Sequence, residues 1–157
     1  MDGIRCTKNP FNFIARQGVH ELVEAAKGRA HVIRRVLHKL IKPMRLAFQS
    51  KHEQNVLAVI TIVKHMISTH TSLLGPYLVP YYRQILFAPV LNVILSRGGK
   101  NLGDAIDYSQ FKNKDLCVEI LSMLELLERY GGKDSFVNIK VMIPTYESCC
   151  DRSGRYH

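Results

Sequence analysis

The chain has 157 residues, which suits one domain able to bury roughly 70% of its unfolded surface without disulfide or metal staples. Its formal charge of +9 and pI near 9.6 favour a polyanionic partner: nucleic acid, an acidic membrane face or the acidic wall of a cytoskeletal polymer. Four cysteines, Cys6, Cys117, Cys149 and Cys150, form no CxxC pair, and they read as reduced thiols of an intracellular protein rather than a disulfide framework. No signal peptide is read in residues 1–20, where Arg5, Lys8 and Arg16 break up the apolar pieces.

Residues 1–10 are polar and expected to be extended. Asn9 is a candidate N-cap, and Pro10 suits the first helical position. Phe11, Phe13 and Ile14 are then expected to face inward. Gly18 should interrupt, leaving Val19, Leu22, Val23 and Ala26 on a second short helix that Gly28 ends. This region is read as a layer capping one end of the core.

Residues 30–48 predict the first long helix. Ile33, Val36, Leu37, Leu40, Ile41, Met44, Ala47 and Phe48 recur at spacings of three and four, and Pro43 should bend the helix. The opposite face is basic throughout: Arg34, His38, Lys42 and Arg45 lie along one line, with Arg35 and Lys39 beside it, Arg29 before it and Lys51 after it. No acid occurs between Glu24 and Glu53. Like charges four apart repel by a few tenths of a kcal/mol per pair. Such a run is either a solvated face or a docking face for an acidic surface.

Residues 53–69 carry Val56, Val59, Ile60, Val63 and Ile67 at helical spacing. Two long helices joined by about four residues make an αα-hairpin. Its size matches one HEAT or armadillo repeat, about 40–47 residues. Residues 71–76 read as a turn.

The stretch from Tyr77 to Leu95, YLVPYYRQILFAPVLNVIL, is the most apolar and is expected to be a central buried helix, started by Pro80 and kinked by Pro89. It is long enough to span a membrane, but Arg83, Gln84 and its two prolines argue against that. Residues 96–114 read as the longest loop. Its GGKN lacks the GxxxxGK[ST] phosphate cradle. Asp104, Asp107 and Tyr108 could pin this loop to the body or meet a partner.

Residues 115–130 predict an acidic amphipathic helix with Leu116, Ile120, Met123, Leu124 and Leu127 inside and Glu119, Glu125 and Glu128 outside. Gly131-Gly132 is a strong stop. Asp134 opens a short helix with Phe136, Ile139 and Val141, which Pro144 ends. Residues 1–148 are thus read as a single helical domain, and 149–157 as a disordered tail. The charge is polarised between a basic first half and an acidic later helix, which suggests two surfaces for two neighbours.

Seven histidines show neither HExxH nor zinc-finger spacing, so no metal or other cofactor is expected. No GxSxG or local cysteine signature marks a nucleophile, and Asp104 and Asp107 are a lone carboxylate pair. The chain reads as a binding protein, not an enzyme. The alternatives are a basic helical protein that binds nucleic acid and a protein–protein adaptor. The basic face and tyrosines fit a generic nucleic-acid footprint, but no RNP, KH or zinc-finger motif is present, and Tyr77, Tyr81 and Tyr82 lie in an apolar stretch where rings pack rather than stack on bases, so nucleic acid is disfavoured.

Four blocks carry a resemblance: DGIRCTKNPFNFIARQGVHELV, PYYRQIL, IDYSQ and LERYGGKDSFVNIKVMIPTYES. In this order they resemble the parkin co-regulated gene family over most of residues 2–148. The resemblance implies an all-α fold, an α-solenoid of HEAT/armadillo-like repeats. It implies a cytoplasmic, cytoskeletal protein of the ciliary or flagellar axoneme, at the inner junction where the B-tubule closes onto the A-tubule of doublet microtubules. The partners it implies are α/β-tubulin, a small β-sandwich junction protein and other axonemal proteins; no membrane is implied. The resemblance implies a long N-terminal extension in many members, whose role is not expected of a sequence that begins at the DGIR block, and RCTKNPFNF and LFAPVLN read as local variants. Under this reading Arg34, Arg35, Lys39, Lys42, Arg45 and Lys51 are candidates for contact with acidic tubulin. Tyr81, Tyr82, Arg83, Asp104, Asp107 and Tyr108 are candidates for a second partner surface or for pinning the loop.

Overall fold

The computed structural model describes residues 3, 10–50, 52–86, 88–98 and 108–149. Apolar side chains at three- and four-residue spacing have one way to leave water together, which is on one face of a helix. Helices accordingly dominate, and no strand occurs among the described residues. They are α1 (Phe11–Ala25), α2 (Ala30–Gln49), α3 (Glu53–Thr69), α4 (Thr71–Leu78), a 3-10 turn (Val79–Tyr81), α5 (Tyr82–Ile85), α6 (Ala88–Gly98), α7 (Tyr108–Gly131) and α8 (Ser135–Met142). The expected all-α class is observed.

The α2–α3 hairpin forms as its periodicity predicts. Ile33, Leu37, Ile41, Met44 and Phe48 of α2 are buried, as are Val56, Val59, Ile60, Val63 and Ile67 of α3. Pro43 sits inside α2, and the helix continues through it to Gln49. Ser50 Oγ donates to Ala47 O at 2.7 Å and accepts from Asn55 Nδ2 at 3.0 Å, which fixes the connection between the two helices. The inward face of α7 also follows its pattern, with Leu116, Ile120, Met123, Leu124 and Leu127 buried. This helix packs against α3, α4, α6 and α8 and so forms the spine of the core.

Four elements depart from the sequence expectation. Gly18 does not interrupt: α1 is one helix from Phe11 to Ala25. A mid-helix glycine costs only about 1 kcal/mol, and Gln17 Nε2 donates to Glu21 Oε1 at 3.0 Å across it. Pro10 stands at the N-cap rather than the first helical position, while Asn9 lies outside the described residues. Phe11, Phe13 and Ile14 point outward, exposed by 60% or more. The α1 face that meets α3 is instead built on Val23 and the half-buried Val19.

Residues 71–78 form a helix, not a turn. The Gly75-Pro76 pair that reads as a turn serves packing: a Cβ at Gly75 would lie 2.0 Å from Tyr130 O, so only glycine lets α4 cross α7 this closely. The central stretch is not one kinked helix. Its two arms, Leu74–Ile85 and Pro89–Leu95, meet at 88°. Pro89 has no N–H to give the carbonyl four residues back, which is that of Ile85, and its ring would clash there, so the helix stops at Ile85 and restarts at Ala88. Leu78, Tyr82, Ile85, Leu86, Val90 and Leu91 are all buried. No single helix among the described residues is long and apolar enough to cross a membrane.

Finally, α7 begins at Tyr108, seven residues before the predicted Asp115, so 108–114 belong to a helix rather than to the loop. The predicted stop at its other end is observed: Gly132 takes φ +86°, a left-handed conformation that glycine adopts without strain. The expected tail lies outside the described residues beyond Cys149.

Candidate functional site

The burial of one face of α2 decides what the other face presents. With Ile33, Leu37, Ile41 and Met44 turned into the core, Arg34, Arg35, His38, Lys39, Lys42 and Arg45 are all exposed. The line from Arg34 to Arg45 spans about 16 Å at 1.5 Å per residue. Among the described residues two ion pairs form, Lys64–Glu119 at 2.8 Å and His65–Glu24 at 3.2 Å, and neither involves α2. The expected basic face is therefore present and not neutralised by any described acid. Arg34 Cζ lies 4.0 Å above the centre of the Tyr77 ring, a cation–π contact that holds the first arginine of the line against α4. Nothing in the sequence spacing signals that contact, which joins two elements 43 positions apart. Lys51, expected to extend the face, lies outside the described residues.

The acidic counterpart is weaker than the sequence suggests. Of the three α7 glutamates expected outside, Glu125 is exposed and Glu119 is engaged by Lys64. Glu128 is buried. Its carboxylate accepts hydrogen bonds from Tyr146 Oη at 2.8 Å, from Ser148 Oγ and from Cys149 N at 3.0 Å. Burial alone would raise the Glu128 pKa, but these bonds outweigh it and hold the pKa below the usual glutamate value. Burial and the adjoining carboxylate push Tyr146 upward. Glu128 is thus an anchor that straps the segment after α8 onto α7. Periodicity cannot reveal it, because a glutamate on the polar side of a helix looks the same whether it meets water or a returning chain.

The second candidate group divides. Tyr82 is fully buried and holds the fold from inside: its hydroxyl donates to Leu127 O at 2.9 Å and lies 2.9 Å from Ser135 Oγ. Burial pushes its pKa up to about 12. It does not stand on a partner surface, and what it pins is the α7–α8 turn. Gly131 makes room for this cluster, since a Cβ there would lie 2.5 Å from both Tyr82 Oη and Ser135 Oγ. Tyr81 is half-buried and Arg83 exposed. Arg83 borders a groove with Val79, Pro80, Val137 and Val141. Asp104 and Asp107 lie outside the described residues; Tyr108 opens α7, and its side chain is not among those described. No group of three or more histidine, cysteine or acidic side chains that could hold a metal occurs among the described residues.

The family model described as Parkin co-regulated protein matches residues 1–148. The chain belongs to this family. Among curated relatives, the mouse (Mus musculus) Parkin coregulated gene protein homolog is 39% identical over 148 residues, which covers 94% of this chain and 58% of that protein. The chain therefore spans less than two thirds of the relative's length. In this member of the parkin co-regulated family, two of the four blocks that carry the resemblance also supply the buried polar contacts of α5, α7 and α8. PYYRQIL supplies Tyr82, ERYGGKDS supplies Glu128, Gly131 and Ser135, and PTYES supplies Tyr146 and Ser148. The basic side chains of α2 lie outside those blocks.

Proposed function

We propose that this chain is a non-enzymatic, microtubule-binding structural protein of the ciliary or flagellar axoneme. It acts at the inner junction of doublet microtubules, with the basic face of α2 against acidic tubulin. The observation that carries this reading is the exposed row Arg34, Arg35, His38, Lys39, Lys42 and Arg45, without a described acidic partner. Membership of the parkin co-regulated family supports the location. The helical hairpins belong, on this reading, to a HEAT/armadillo-like solenoid, and the small β-sandwich junction protein is the second neighbour.

Exposed charge pairs are worth roughly 0–1 kcal/mol each, so several must act together. Co-sedimentation with microtubules across a salt series tests the reading, because the Debye length is about 8 Å at physiological ionic strength. Binding should weaken steeply with salt and fall at least ten-fold in the triple variant Arg34→Glu, Arg35→Glu, Lys39→Glu. Unchanged binding by the folded triple variant refutes the assignment of the face. Equal affinity for RNA and for microtubules at physiological salt refutes tubulin specificity.

A further inference from the structure

Helix α1 leaves large apolar side chains in water, which small soluble domains rarely do in one place without a use. Phe13 is 67% exposed and Leu22 72%, and across the interface with α3 Leu57 is 42% exposed. Between α1 and α3 lies a groove of about 280 Å³ with apolar walls from Phe13, Val19, Val23, Leu57, Ala58 and Ile62. A dry cavity of about 150 Å³ already holds a benzene ring, so this space takes an aromatic side chain.

The groove also has a polar wall. Arg16 Nη2 donates to Gln54 O at 3.1 Å, which fixes the guanidinium across the two helices. Its Nε is buried with no hydrogen-bond partner. The nearby acids of α1 are turned elsewhere: Glu21 is held by Gln17, and Glu24 faces His65 at 3.2 Å. No carboxylate among the described residues lines the groove. A guanidinium that makes no ion pair among the described residues, beside an apolar slot, is complementary to a carboxylate next to an apolar side chain.

The geometry points to the α1–α3 groove as a docking site for a segment of a partner protein in which an acidic residue adjoins an aromatic one. The ring fills the slot and the carboxylate meets the Arg16 guanidinium. This surface is separate from the basic face of α2, and the inference does not rest on the tubulin reading.

The test titrates the isotope-labelled full chain with three capped dipeptides by NMR: acetyl-Glu-Phe-amide, acetyl-Lys-Phe-amide and acetyl-Glu-Gly-amide. The first should shift the amides of Val19, Ala58 and Ile62 saturably, with at least five-fold higher affinity than the other two. Arg16→Gln should reduce its affinity at least five-fold, and Ala58→Leu, which fills the slot and leaves Arg16 in place, should abolish it. Thermal melts confirm that each variant is folded, and either variant alone decides if the other is not. Equal affinity for the lysine and glutamate probes overturns the proposal in favour of a purely apolar groove. Absence of saturable shifts, or binding retained in Ala58→Leu, also overturns it. So do groove amides that move with protein concentration before any probe is added, which would assign the groove to a second copy of this chain.

Discussion

The Tyr82–Ser135–Leu127 cluster permits a quantitative test of how the α7–α8 turn is held. Leu127 O accepts from two hydroxyls, Tyr82 at 2.9 Å and Ser135 at 2.6 Å. Each can stand in for the other. Tyr82→Phe removes one donor and leaves Ser135 bonded to Leu127 O, so it should cost about 1 kcal/mol, the net worth of one hydrogen bond. Ser135→Ala leaves Tyr82 bonded and should cost about the same. The double variant loses both donors in a buried cluster, and its cost should exceed the sum of the two by roughly 1 kcal/mol. Urea unfolding gives the three differences directly, and 1 kcal/mol corresponds to about 2–4 °C in Tm at this chain length. Additivity within about 0.3 kcal/mol would show that the hydroxyls are independent and that the redundancy argument is wrong.

Alkaline pH supplies a second readout of the same cluster. Burial raises the Tyr82 pKa in the fold to about 12, above the ordinary tyrosine value of about 10. The stability this contributes is fully present below pH 10 and is lost as pH rises through about 12, and Tyr82→Phe should lack that loss.

Two further outcomes follow from single contacts. Glu128→Gln replaces a carboxylate that accepts from three donors with an amide whose NH2 faces one of them, and should cost about 2 kcal/mol. Because the Glu128 pKa is depressed in the fold, its contribution is present above the usual glutamate range and disappears as pH falls through the folded value. Melts across an acid series should show this limb in the parent and not in the variant, and hydrogen exchange at 143–149 should quicken. Gly75→Ala places a methyl 2.0 Å from Tyr130 O, a backbone atom that cannot swing away. It should destabilise by about 3 kcal/mol, read by thermal melt; a loss under 1 kcal/mol would mean that α4 and α7 separate easily.

What the sequence discloses here is what repeats along it. The stripe of α2 and the buried faces of α3 and α7 each repeat at helical spacing, so the hairpin, the spine and the basic face are all legible. What it conceals depends on single long-range encounters. Gly75 looks like a turn residue because its reason, the carbonyl of Tyr130, lies 55 positions away. Glu128 looks like surface because the chain that covers it returns 18 to 21 residues later. The orientation of α1 was open to error for another cause: with Phe11, Phe13, Ile14, Val19, Leu22 and Val23 spread around the helix, several faces are apolar enough to be the inner one. The one chosen depends on where α3 lies.

The α2 face can be weighed against the fold that carries it. Arg35–Lys39, Lys39–Lys42 and Lys42–Arg45 are like-charge pairs at helical contact distance, worth together roughly 1 kcal/mol of repulsion. The same helix buries Ile33, Leu37, Ile41, Met44 and Phe48, each worth about 1.5–3 kcal/mol of gross hydrophobic burial. Burial wins by close to an order of magnitude, so the helix holds its register with the charges unrelieved. Replacing Lys39 by Glu would turn two of the three repulsive pairs into attractive ones at no cost to the core, so the fold has no need of this pattern. A surface that is mildly unfavourable alone and kept rigid from behind is suited to a partner that brings the missing negative charge. Meeting such a partner relieves the repulsion and needs no refolding of α2.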